Sequence, residues 1–174
     1  QAFLPLLEAA GGRVVNVTSA AGPMFVASCS PERQRVLIDP AVRWQTIEAL
    51  MAECVSIEGD AAAFDARGLG TGAAYGFSKA CANAYTIELA RDYPHLVINA
   101  CTPGFIETDL TRPMAVAQGV SPAQMGMKSP QEGTHSTLFL LFGEPQGSGH
   151  YYGSDAVRSP LDRYRSPGDP PFMG

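Results

Sequence analysis

Five consecutive residues, Tyr75-Gly76-Phe77-Ser78-Lys79, carry the most chemistry in the chain. Residues four apart on a helix share a face, so a phenol and an ammonium stand one turn apart. A phenol ordinarily titrates near ~10 and exchanges protons poorly at neutral pH. A neighbouring cation favours the phenolate, and such a tyrosine can pass a proton to or from an alcohol or carbonyl oxygen. Taken alone, Tyr-x-x-x-Lys is unspecific, because any exposed helix can carry the pair.

Two further segments change that balance. Asn16-Val17-Thr18-Ser19 ends an apolar run with a hydroxyl, and the carboxyl ends of strands are where open α/β sheets bind ligands. The plainer reading of Ser19 is a residue that merely turns the chain. Pro103-Gly104-Phe105-Ile106-Glu107-Thr108 follows a second apolar run. A Pro-Gly turn lets backbone approach a flat ligand, and Thr108 adds a hydroxyl. An ordinary strand-to-helix turn is the alternative there.

The elements that must position these residues follow from periodicity. Gln1 to Ala10 reads as an amphipathic helix stopped by Gly11-Gly12, and Arg13 to Ser19 as a buried strand. Residues 22–70 form a helical excursion, with Ser30-Pro31 starting one helix and an apolar period from Pro40 to Val55 marking another. A long helix is predicted over Ala74 to Arg91, a second strand over Leu96 to Thr102, and a helix from Lys128 to Phe142 opened by Ser129-Pro130. A short last strand is predicted at His150 to Gly153, and the tail 159–174, with four prolines, is expected to be disordered. Strands alternating with helices predict an α/β fold of about three parallel strands with flanking helices and right-handed crossovers.

Composition narrows the function classes. The 174 residues are 45% hydrophobic and 17% charged, enough for a packed core. A net charge of -5 without any Lys/Arg cluster argues against nucleic acid and anionic membranes, whose phosphates need cations. The apolar run Leu138 to Phe142 is too short to cross a bilayer, and the first twelve residues lack the cationic start of a secretory signal. The four cysteines form no C-x-x-C pair and the three histidines lie far apart, so no metal site is expected and the thiols read as reduced and cytoplasmic.

In this order the three segments resemble the short-chain dehydrogenase/reductase family. The matching residues are Val14-Val-Asn-Val-Thr-Ser19, Tyr75-Gly-Phe-Ser-Lys79 and Asn99-Ala-Cys-Thr-Pro-Gly-Phe-Ile-Glu-Thr108. The resemblance implies the C-terminal half of a Rossmann-like, doubly wound sheet. It also implies that Ser19 hydrogen-bonds a substrate carbonyl, Tyr75 donates the proton, and Lys79 supports Tyr75 and holds the nicotinamide ribose. Pro103, Gly104, Ile106 and Thr108 would flank the nicotinamide. Most family members place the serine much closer to the tyrosine than the 56 positions seen here (19 to 75). A helical insertion in that place is similar to the monomeric carbonyl reductases, as are Ser28-Cys-Ser-Pro-Glu32 and Lys128-Ser-Pro-Gln-Glu-Gly133. That likeness, from Gln1 to about Val157, implies NADPH, a small-molecule carbonyl substrate and a monomer.

The chain departs from the family at its front. It opens without Met, inside a helix, and contains no G-x-G-x-x-G, so the family's phosphate-binding turn and active-site Asn are expected upstream of Gln1. Two other readings stay open. One is a non-catalytic or truncated product, whose first strand would present an unpaired apolar edge. The other is a serine hydrolase, with Gly76-Phe-Ser78-Lys-Ala80 as a nucleophile elbow and Asp109 with His135 or His150 completing a triad.

Overall fold

The computed structural model describes residues 4–57, 60–70 and 74–174. In chain order the elements are α1 (Leu4–Ala10), β1 (Arg13–Val17), α2 (Ala21–Ser28), α3 (Pro31–Leu37), α4 (Trp44–Ser56), α5 (Ala61–Ala66) and α6 (Ala74–Asp92). They continue with β2 (Val97–Cys101), α7 (Arg112–Ala117), α8 (Pro130–Gly133), α9 (His135–Phe142), β3 (Tyr151–Tyr152) and β4 (Arg158–Ser159). Local chemistry sets several boundaries. Gly12 N–H donates to the Leu7 carbonyl (2.8 Å) across Gly11 at φ +62, a left-handed cap that ends α1. The Ser30 hydroxyl accepts from Arg33 N–H and Pro31 opens α3, while Ser129 and Glu132 cap α8 reciprocally.

The sheet runs β1-β2-β3-β4. The first three strands are parallel, with Arg13 opposite Val97, Val17 opposite Cys101, and Cys101 opposite Tyr152. The expected three-strand parallel sheet therefore gains a short antiparallel fourth strand, β4 beside β3, supplied by the start of the tail.

Alternation along the strands separates the two faces. On one face Val14 and Ile98 pack with Ala90 of α6, and the Asn16 amide donates to the Thr86 hydroxyl (2.8 Å). On the other, Val15, Cys101 and Tyr152 pack with Phe139 and Leu140 of α9. Both crossovers step the same way across the sheet, yet their helices lie on opposite faces, so they have opposite hands. Two right-handed crossovers were predicted.

Residues 21–70 fold as α2 to α5 and build a second core on the outward side of α6. Phe25, Leu37, Ile47, Leu50, Phe64 and Leu69 are buried there against Phe77, Cys81 and Ala84. Phe25 meets Phe77 edge to face at 5.6 Å. The helix α6 is thus covered by the sheet on one side and by α2 to α4 on the other. At Gly22 an added Cβ would lie 3.1 Å from the Lys79 carbonyl carbon and 3.2 Å from Ala80 N. At Gly76 it would lie 2.9 Å from the Ala21 carbonyl oxygen and from Phe25 Cβ.

The proline-rich tail departs from the disorder predicted for it. The buried Arg165 guanidinium bonds both Asp155 carboxylate oxygens (2.5 and 2.6 Å), Ser159 Oγ, and the carbonyls of Ser166 and Asp169. Gly168, at φ +92, turns the chain so that its N–H reaches Asp155 (3.0 Å). A guanidinium with its donors satisfied can be buried, and this one fixes a segment with few apolar side chains. The helix predicted over 128–142 also differs, breaking into α8 and α9 at Thr134.

Gly76→Ala should destabilise the fold by about 1–3 kcal/mol despite alanine's better helix propensity, because its methyl meets backbone and a core side chain. Urea denaturation reads this as a lower midpoint; an unchanged or higher midpoint contradicts the close packing. A second expectation concerns pH. Burial raises the Asp155 carboxyl, but the Gly168 N–H and the Arg165 guanidinium outweigh it and hold it below the usual carboxylate range. A depressed folded value means the stabilisation is present above the ordinary Asp range and is lost as pH falls through the depressed value. The Arg165 Nε–H resonance should therefore survive mild acid and vanish only below about pH 3.9; loss in mild acid would contradict the clamp.

Candidate active site

The register of β1, β2 and β3 brings three carboxyl ends into one row. One step past the paired residues, Thr18 N–H donates to the Cys101 carbonyl (2.7 Å) and Thr102 N–H to that of Tyr152 (3.1 Å). Ser19, Pro103-Gly104 and Gly153-Ser154 follow directly. The Ser19 oxygen accepts from Ala21 N–H (3.2 Å) and its carbonyl accepts from Gly22 N–H (3.0 Å), so it turns the chain into α2. Accepting does not use the hydroxyl proton, which remains available to donate.

Contacts along α6 fix where its first turns lie. Asn16 of β1 bonds Thr86, Gly22 abuts Lys79 and Ala80, and Ala21 abuts Gly76. As the chain advances from β1 into α2, its contacts retreat along α6 toward that helix's N-terminus. Ser19 stands in the chain between Asn16 and Gly22, and the Ala21 and Gly22 contacts reach the turns of α6 that carry Gly76 and Lys79. Tyr75 is 61% exposed, and Lys79 Nζ lies 5.5 Å from the centre of its ring, a cation–π arrangement. The ammonium sits over the ring in this geometry.

Gly104 holds φ +91, and a Cβ there would come within 3.1 Å of Ser154 Cβ. Only glycine suits both demands. Thr102 Oγ1 accepts from Gly104 N–H (3.1 Å), and the buried Ser136 hydroxyl donates to the Thr102 carbonyl (2.9 Å), which stiffens the turn. Ile106 pairs with Lys128 as an isolated bridge and packs on Gly133. Thr108 is exposed, its N–H donating to the Thr111 hydroxyl (2.9 Å) and its own hydroxyl 3.1 Å from that oxygen. Pro103, Gly104 and Ile106 thus belong to the strand-end row, and Thr108 stands at its outer margin.

Sequence reasoning missed several residues here. Lys128 Nζ donates to Ser154 Oγ (3.1 Å) beside Gly104. Asn83 is buried against Gly22 with neither amide atom partnered. Arg163, Tyr164 and Arg165 line a small cavity together with Ala20, Thr102 and Gly104. Lys128 opens the segment Lys128–Gly133, whose likeness assigns it no role, and the tail residues have no signal short of their distant partner Asp155.

The hydrolase alternative finds no triad. Ser78 lies inside α6 and donates to the Tyr75 carbonyl (2.8 Å), and Asp109 pairs with Arg112 (2.6 Å). His150 lines a cavity with Ile87 and Arg91. Ser78 and Arg91 are roughly 20 Å apart along the helix, at 1.5 Å per residue. His135 faces a different hollow, beside Ser154 and Leu138. Among the described residues, no cluster of His, Cys, Asp and Glu is placed to hold a metal ion, and no helix is long and apolar enough to cross a membrane.

The chain matches no protein-family model. Its fold resembles that of salutaridine reductase from Papaver somniferum, with a TM-score of 0.65 at 27% identity, over 86% of this chain and 48% of that one. By sequence it is 31% identical over 155 residues to short-chain dehydrogenase/reductase 1 of Saponaria officinalis, covering 84% of this chain and 46% of that protein. The molecule has the α/β fold of the short-chain dehydrogenase/reductases and is homologous to them. Within that family its relatives include carbonyl reductases. Carbonyl reductase (NADPH) 1 of Rattus norvegicus is 29% identical over 153 residues, 84% of this chain and 50% of that protein. The chain spans about half the length of the curated relatives it matches.

The cysteines take no visible part in this site. Burial pushes the Cys29 and Cys54 thiols up to about 11 and Cys81 to about 12, so the nucleophilic thiolate is scarce at neutral pH. A thiol reagent such as DTNB should react slowly with the native protein and with all four cysteines at once on unfolding. Rapid native labelling would contradict that burial.

Proposed function

We propose that these residues form the proton-transfer half of an NADPH-dependent carbonyl reductase acting on ketones, aldehydes or quinones. The reading is supported by one observation: α2, which begins just after Ser19, abuts the turns of α6 that carry Gly76 and Lys79, and the Lys79 ammonium lies over the ring of the exposed Tyr75. The carbonyl-reductase relatives support the same chemistry.

The fit to a dinucleotide covers its reactive end. Gly104, at φ +91 and packed against Ser154, would present bare backbone to a flat ring beside Pro103 and Ile106, with Thr108 at the margin. Tyr75 and Lys79 would hold the ribose. The 174 residues contain no G-x-G-x-x-G for the phosphates, so the proposal concerns a protein in which such a segment is joined to this one. Bound there, the cofactor would supply a hydride to the carbonyl carbon.

The chain's own residues perform the rest. Ser19 donates a hydrogen bond to the carbonyl oxygen and orients it. Tyr75 gives that oxygen a proton as negative charge gathers on it, with the Lys79 ammonium over its ring. Helices α2 to α4 cover the outward side of α6, which supports a monomer, and the buried thiols suit a cytoplasmic setting.

Tyr75→Phe in the full-length protein should lower NADPH-dependent carbonyl reduction by about 10²–10⁴-fold while cofactor affinity persists. Steady-state kinetics with a separate cofactor-binding titration checks this, and retained turnover would overturn the assignment.

A further inference from the structure

A cavity of about 490 Å³ lies at the other end of α6 from the candidate active site. Arg91 forms part of its wall, and from Tyr75 to Arg91 the helix rises about 24 Å, at 1.5 Å per residue. Sites for small molecules fall in the range of about 300–1,000 Å³, with mostly apolar walls and a few polar groups that orient the ligand. The apolar walls here come from three separate stretches: Ile87 and Ala90 of α6, Ile38 and Pro40 of the insertion, and Leu161 and Phe172 of the tail.

Charge around the cavity is balanced except at one residue. Asp162 pairs with Arg163 (2.9 Å), Asp92 lies 3.3 Å from both Arg43 and Arg91, and Glu88 lies 3.8 Å from Arg91. Three carboxylates thus answer three guanidiniums. Arg158, which also lines the cavity, pairs with no carboxylate side chain among the described residues. Its Nη2 donates to the Gly174 carbonyl, and its guanidinium lies 5.8 Å from the Phe172 ring centre. A guanidinium carries five N–H donors in a planar fork, so donors remain beyond that bond, and the fork matches a carboxylate. His150 lines the cavity as well, and burial, followed by the nearby Arg158 charge, holds its imidazole below the ordinary value. The unanswered charge is therefore a single cation beside apolar walls.

We propose that this cavity is a second small-molecule site that takes an apolar monocarboxylate, its carboxylate on Arg158 and its apolar body along Ile87, Ala90, Leu161 and Phe172. The site goes beyond the carbonyl-reduction reading and does not depend on it.

The test uses the full-length protein with 2-naphthoate and its uncharged analogue 2-naphthamide as probes, followed by titration calorimetry and backbone amide NMR. Naphthoate should bind about tenfold or more tightly than the amide and shift the resonances of Gly149, His150 and Arg158. Arg158→Gln should abolish that preference, and Arg158→Lys, which keeps the charge, should retain most of it. Four results would each overturn the site: no binding of either probe at millimolar concentration, equal affinities in the wild type, a preference that survives Arg158→Gln or is lost in Arg158→Lys, and shifts confined to Ser19–Gly22 and Gly104–Ile106.

Discussion

The arrangement depends on one close approach, the contact of α2 with α6 through Gly22 and Gly76. Helices pack at 8–10 Å when side chains intervene. Here two positions without side chains let backbone meet backbone, so the residue that ends β1 and the first turn of α6 are held at one height. Below them the Asn16–Thr86 hydrogen bond pins the middle of the helix to the strand. Without the first contact α6 could slide along the sheet, and Ser19 would lose its register with Tyr75 and Lys79.

Covering α6 on both sides has a second consequence. The helix that bears the candidate residues Tyr75 and Lys79 has its remaining length fixed by the insertion, with Phe25, Ile47, Leu50 and Phe64 packed on Phe77 and Cys81. The thiols there are raised by burial and act as core atoms. At the far edge, the tail completes the sheet with β4 and then folds back over the strand ends. The sheet, the insertion and the tail thus converge on the same row of residues.

Much of this was legible in the sequence. The β-branched runs at Arg13–Val17 and Val97–Cys101, the long helix from Ala74, and the Ser30 and Ser129 caps are local signals, and each element lies within about a turn of its expected place. The positions of Ser19, Pro103 and Gly104 just past strand ends, and of Tyr75 and Lys79 one turn apart on α6, were legible because strand ends and a helical turn give fixed offsets. What was not legible is long-range. The opposite hands of the two crossovers depend on which face α9 chooses, and the strand pattern is equally apolar on both. The order in the tail comes from an Asp155–Arg165 pair ten positions apart in a segment whose composition reads as solvated.

The central claim is that Ser19 and Tyr75 act on one oxygen. It is tested most directly by a crystal structure of the full-length protein with a ketone or its alcohol product bound. The account predicts a single ligand oxygen within hydrogen-bonding distance of both the Ser19 hydroxyl and the Tyr75 phenol. A ligand oxygen that engages neither group, or two hydroxyls facing separate hollows, would contradict it.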